Sequence, residues 1–229
     1  LSPVLSGLNL DYLIPGEDPL RESFSFGAQL KHEDTDSTLS DSVTLAARQT
    51  IKSESWTQTR FLELLYEKST VADEDTTSTL LMPGIALDRI KADDLLRTRR
   101  GYRVRLELRG AYEGLISTAT LFQTKAHVKG IYRLGDSGRL NVRTDAGWTL
   151  TDSTEDLPAT LRFFAGGDNS VRGYRYQSLG PRDGSGDVKG GKYLLTGSLE
   201  YEHPIFGEDW WAAAFLDGGN AFDTDDVDV

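Results

Sequence analysis

Residues 152–191 read DSTEDLPATLRFFAGGDNSVRGYRYQSLGPRDGSGDVKGG. Gly, Asp and Pro are too frequent here for a strand or a helix, so the stretch is a connection. A structureless connection of this length is uncommon inside a compact domain, and it is usually functional or disordered. Phe163, Phe164, Val171, Tyr174, Tyr176 and Leu179 argue against disorder, because disordered segments lack apolar side chains that need burial. The reading is a folded, plug-like loop. Its tip, Val171, Arg172, Gly173 and Tyr174, reaches back into whatever the flanking strands build.

On both sides of this loop, runs of strand-like composition alternate with clusters of Gly, Asp, Pro and Ser, and almost nothing has a helical apolar period. The runs are 5–14, 20–32, 42–51, 56–68, 79–90, 99–110, 118–134, 139–150, 192–203 and 210–217. The clearest is 99–110: Tyr102, Val104, Leu106 and Leu108 share one face, and Arg103, Arg105, Glu107 and Arg109 the other. Pro83-Gly84 is expected to break the run at 79–90, and 91–98 is expected to form a short helical turn.

In antiparallel order the links at 15–19, 52–55, 91–98, 135–138 and 204–209 fall at one end, and they are mostly short. Those at 33–41, 69–78, 111–117, 152–191 and 223–229 fall at the other end, and most are longer and acidic. Short turns on one rim and long loops on the other predict an outer-membrane-type barrel, with periplasmic and extracellular rims respectively. The alternation by itself also suits a soluble antiparallel sheet with one wet face.

Composition narrows the classes. The chain has 229 residues, a formal net charge of -11, no Cys and a mean hydropathy of -0.40. No apolar run approaches the roughly 18 to 20 residues of a membrane-spanning helix, whereas barrel strands need only about 9 to 11 and alternate. The acidic balance argues against a nucleic-acid partner, which calls for a basic stripe. The absence of Cys removes disulfide scaffolds, thiolate metal sites and cysteine catalysis.

Three motifs in order carry a resemblance: FFAGGDNSVRGYRYQSLGPRD from Phe163, GGKYLLTGSLEYEHPI from Gly190, and AAFLDGGNAFD from Ala213. They resemble the bacterial surface-antigen barrels that bear periplasmic POTRA repeats and assemble or export other outer-membrane proteins. The likeness is greatest to the translocation-and-assembly-module (TamA) branch. The specific match covers 162–223, and the upstream strands fit the fold without adding family-specific signal.

The resemblance implies an all-β fold: a partial antiparallel transmembrane β-barrel, about ten strands of a larger one, with a long loop folded into the lumen. It implies that residues 1–229 are one barrel domain lacking POTRA repeats and closing strands. In such barrels the loop Arg is held by acidic residues on the two following strands, which makes Arg172 the loop-lock residue and Glu200 and Asp217 its partners. Gly166, Gly167, Asp168, Val171, Gly173 and Tyr174 belong to the loop motif. Parity supports Glu200, since Thr196, Ser198, Glu200 and Glu202 share the inward face; Asp217 brings Phe215 and Trp211 inward with it. A carboxylate facing lipid costs about 3 kcal/mol, so the inward reading of Asp217 stands.

The implied role is a non-enzymatic assembly or translocation factor of the bacterial outer membrane, without a cofactor. Implied partners are outer-membrane lipid, unfolded outer-membrane or autotransporter clients, and an inner-membrane-anchored periplasmic protein. The alternatives are a two-partner-secretion pore of the same superfamily and a soluble β-rich binding domain. Competing local signals are weaker. Gly135-Asp136-Ser137-Gly138 is explained by a hairpin turn. His32, His127 and His203 have no ligand spacing. Asp223, Asp225, Asp226 and Asp228 lack the Gly and Glu of a calcium loop. Trp210, Trp211 and Tyr201 suit an aromatic girdle at the short-turn rim.

Overall fold

The computed structural model describes residues 5–223 apart from 73, 95–97, 115, 136 and 207–209. Ten strands follow one another: β1 (Leu5–Pro15), β2 (Glu22–Asp34), β3 (Thr38–Lys52), β4 (Thr57–Val71), β5 (Glu74–Ala92), β6 (Gly101–Ala111), β7 (Leu121–Leu134), β8 (Gly138–Thr151), β9 (Tyr193–Phe206) and β10 (Trp210–Phe222). They form one antiparallel sheet in sequence order, with β1 and β10 at its edges. The long connection between β8 and β9 holds only one short 3-10 turn, Ala159–Leu161.

Strand periodicity sorts the side chains onto two unlike faces. The outer face carries an apolar band that stays open: Leu10 is 62% exposed, Leu150 59%, Leu195 57% and Leu216 73%. A soluble sheet does not leave so continuous an apolar face in water, so the band is the lipid-facing surface of a barrel wall. The inner face is charged. An ionic ladder runs across it from Asp11 to Arg48 (3.7 Å), Glu63 (3.2 Å), Arg109 (3.2 Å) and Glu107, and Arg103 pairs with Asp88 at 2.7 Å. His127 and Asp145 add a contact at 2.6 Å. Such a face suits a wet lumen.

Against this inner face, near one rim, the long loop builds a small apolar core. Leu157 and Leu161 of the loop pack with Leu65, Leu80, Met82, Ala111, Ala119 and Leu121.

Three local expectations change. The run around Pro83-Gly84 is not broken: β5 is continuous over Glu74–Ala92 and pairs with β4 from Glu74 to Asp88, across Pro83. Pro83 is tolerated because its missing N–H lies toward the side where the β6 ladder begins only at Gly84. On that side the N–H of Leu81 donates to the Ser117 hydroxyl at 3.0 Å, and the N–H of Thr79 to the Thr118 hydroxyl at 3.2 Å.

Two of the expected long acidic loops are mostly strand. β2 and β3 are joined by residues 35–37 and β4 and β5 by 72–73, because the ladders continue past the apolar band through polar residues, of which Thr38, Ser40, Ser69 and Ser78 are buried. The difference between the rims thus rests on 112–120 and, above all, on 152–192. Of the expected helical turn at 91–98, residues 91 and 92 belong to strand β5, and Asp93 Oδ1 accepts the N–H groups of Arg99 (3.1 Å) and Arg100 (3.0 Å). Residues 95–97 lie outside the described residues, as do Asp136 of the β7–β8 hairpin, the turn at 207–209 and the acidic segment 224–229.

Candidate functional site

The loop is rooted before it is latched. Arg162 is buried at the root and donates Nε–H to Leu157 O (2.9 Å), Nη1–H to Lys189 O (3.1 Å) and Nη2–H to Glu155 O (3.2 Å). Burial lowers its pKa, and a guanidinium still stays protonated, so one cation ties three orphan carbonyls together. Two antiparallel bridges, Phe163 to Gly191 and Ala165 to Leu179, zip the limbs above it. Phe163 lies against Gly147 of β8, where a Cβ would come within 2.3 Å of its ring. The first limb is pinned to the wall: Thr160 donates its hydroxyl to Glu67 of β4, and Gln123 of β7 donates to Leu161 O at 2.8 Å.

At the tip the backbone turns through glycines. Gly166, Gly167 and Gly173 have φ of +101°, +96° and +89°, in the left-handed region that side chains disfavour. The Gly167 N–H donates to Tyr174 O at 3.1 Å, closing the tip on itself. Val171 is buried; Asp168, Gly173 and Tyr174 are exposed. Arg143 of β8 donates to Ser170 O at 3.0 Å.

Arg172, Glu200 and Asp217 come together. Arg172 donates Nε–H to Asp217 Oδ2 at 2.6 Å and Nη2–H to Asp217 Oδ1 at 2.9 Å, a bidentate fork. Its backbone N–H also reaches Asp217 Oδ2 at 3.0 Å, its Nη1–H reaches Glu200, and Nη2–H reaches the Ser198 hydroxyl at 3.0 Å. The Phe215 ring lies under the guanidinium. Hydrogen bonds donated to the two carboxylates, Asp217 first, raise the pKa of Arg172 above its ordinary value. Asp217 is almost fully enclosed, its side chain 2% exposed, whereas Glu200 retains 21%.

The second limb crosses to the opposite end of the sheet. The Tyr176 hydroxyl donates to Glu33 of β2 at 3.1 Å, Gln177 donates to the same carboxylate at 2.9 Å, and Arg175 pairs with Asp36 at 2.8 Å. Partial burial, then the Glu33 charge, push the Tyr176 phenol up to about 12. The loop therefore spans from β10 to β2 as a strut between two distant parts of the wall.

Sequence reasoning did not find the far-wall contacts or the Arg162 root. Tyr176 and Arg162 belong to the irregular loop, where no local period says which strand they meet. Ser198 lay on the inward row already read, and Phe215 counted there as a misfit. Among the described residues no cluster of His, Asp or Glu would hold a metal ion. The hydrogen bonds of the Arg172 cluster hold the loop tip in place against β9 and β10.

With that geometry in view, comparison with known proteins finds the Omp85 superfamily domain matching residues 6–228. A segment is 38% identical over 71 residues to the outer membrane protein assembly factor BamA of Nitratidesulfovibrio vulgaris, covering 31% of this chain and 9% of that protein. The crystal structure of BamA from Haemophilus ducreyi lacking POTRA domains 1–3 is similar with a TM-score of 0.82 over 96% of this chain, at 14% identity. That likeness is one of fold. The chain spans half of that solved chain.

Proposed function

The chain belongs to the Omp85 superfamily, and from that premise we propose that it is the barrel part of an assembly factor that helps insert or translocate β-rich client proteins. Its location is the bacterial outer membrane. The role is non-catalytic, and clients are unfolded outer-membrane or autotransporter-type chains. Within the superfamily the translocation-and-assembly-module branch is favoured by the FFAGGDNSVRGYRY and GSLEYEHPI motifs, and an inner-membrane-anchored periplasmic partner goes with that branch.

The observation that carries this reading is the closure of the 152–192 loop onto β9 and β10 by Arg172, Glu200 and Asp217. In this reading the three form a lock that keeps the loop inside the wall while clients are handled. Residues 1–229 act as one partial barrel domain. The loop also disfavours the two-partner-secretion alternative, since an extended client crossing the lumen must displace a strut held at both ends.

The chain has no Cys, so a single introduced pair can fix the strut. Glu33→Cys with Gln177→Cys, oxidised in cells, is expected to leave client folding in the outer membrane intact, as read by heat-modifiable gel migration of the client. Loss of client export on oxidation, restored by reductant, would identify a pore instead.

A further inference from the structure

The outward row of β5 changes character along its length. Leu81, Pro83, Ile85 and Leu87 continue the apolar band, and the next two outward positions are Arg89 and Lys91. Among the described residues neither forms an ion pair. Arg89 instead lies between two rings, its guanidinium carbon 5.5 Å from the centre of Trp56 and 5.8 Å from that of Tyr102. Lys91 is the register partner of Tyr102. Beside them a groove is lined by Lys91, Arg100, Tyr102 and Tyr132. Tyr132 covers Gly130, where a Cβ would come within 2.8 Å of its ring. Asp93 also borders the groove, but its Oδ1 is occupied by backbone N–H groups of the turn.

Rings satisfy the faces of a guanidinium and leave its in-plane N–H donors open. At the edge of a lipid-facing band those donors need an acceptor, and a phosphate oxygen suits the planar fork. Aromatic side chains mark this level as the headgroup zone. We propose that Arg89 and Lys91, framed by Trp56, Tyr102 and Tyr132, bind the phosphate of an anionic glycerophospholipid on the outer face at the short-turn rim. Arg100 adds charge at the mouth of the groove, and the aromatic walls receive the glycerol end of the acyl chains. The proposal rests on the membrane-facing band and is independent of the assembly role.

The test is native mass spectrometry of the purified protein in neutral detergent, titrated with equal amounts of palmitoyl-oleoyl phosphatidylglycerol and phosphatidylcholine. The wild type is expected to retain phosphatidylglycerol selectively. Arg89→Gln and Lys91→Gln should each lower retention about five-fold, the factor that corresponds to ~1 kcal/mol per surface cation. Arg89→Lys, which keeps the charge and loses the planar fork, should retain an intermediate amount, and Lys68→Gln, on the outer face at the opposite rim, should change nothing. Heat-modifiable migration verifies that each variant is folded. Equal retention of phosphatidylcholine, an unchanged Arg89→Gln/Lys91→Gln double variant, or an equal loss in Lys68→Gln overturns the proposal. So does displacement by millimolar inorganic phosphate, which would mark a site for a soluble anion.

Discussion

Arg172 lies with its guanidinium carbon 3.5 Å from the centre of the Phe215 ring. Phe215 and Asp217 are two residues apart on β10 and share its inner face, so one stretch of strand supplies both a platform under the guanidinium and a bidentate acceptor beside it. The inward aromatic that looked like a cost of placing Asp217 inside is part of the seat for Arg172. Further along the same row, Trp211 receives Arg139 at 5.0 Å, so the inward aromatics of β10 both face cations.

Phe215→Ala is expected to weaken the seat by about 1 to 2 kcal/mol, the scale of a partly desolvated cation–π contact, and Phe215→Trp to retain it. Hydrogen exchange over 166–175 measures this: the Ala variant exchanges faster there, and the strands do not. An unchanged loop in Phe215→Ala would show the stacking to be incidental.

The two carboxylates are unequal. Asp217 accepts three hydrogen bonds from Arg172 and is nearly enclosed, while Glu200 accepts one and keeps contact with water. Asp217→Asn should therefore loosen the loop by about 1 to 2 kcal/mol more than Glu200→Gln, because charge-assisted bonds at an enclosed site are screened less. Arg172→Lys should resemble Arg172→Ala more than wild type, since an ammonium cannot fork. Protease sensitivity of the loop ranks all four, and a larger effect at Glu200 would reverse the assignment.

Root and tip are separable. Arg162→Ala leaves the carbonyls of Leu157, Lys189 and Glu155 without their donor, at about 1 to 3 kcal/mol for each one that water cannot reach. The whole 152–192 segment is then expected to detach and the Leu157 and Leu161 core to open, seen as tryptic cleavage at Arg175 and Arg182. Arg172→Ala should free only the tip. Equal cleavage patterns would show one cooperative unit.

The far-wall contact carries a pH signature. The Tyr176 phenol is raised to about 12 in the folded protein, so its stabilisation is fully present below the unfolded value near 10 and is lost as pH rises through about 12. Protection from hydrogen exchange at 174–178, taken relative to the intrinsic base-catalysed rate, should fall across that window in the wild type. In Tyr176→Phe that step should be absent, and its persistence would assign it to another group.

Period-2 alternation and turn chemistry were enough to read ten strands, their order and the inward side of Glu200, because each of these depends on neighbours within a few residues. Pro83 misled for the same local reason. A missing N–H looks like a break until the ladder beside it is known to begin one residue later. The polar tips of β2 to β5 read as loops because Thr, Ser, Asp and Glu occur in polar loops and in polar strand ends alike, although Glu33, Thr38, Ser40, Ser69 and Ser78 are buried in the fold. Only pairing across strands, Thr38 with Val71 and Val71 with Glu74, distinguishes them.

What the sequence determined by itself is the alternating wall, the long irregular loop and the residues able to bind its arginine. What the tertiary structure alone decided is where the loop goes after Arg172. Glu33 and Tyr176 lie 143 positions apart and meet only because the wall carries β2 across from β10. A contact of that kind leaves no period in the chain, since its energy comes from two groups brought together by the packing of everything between them.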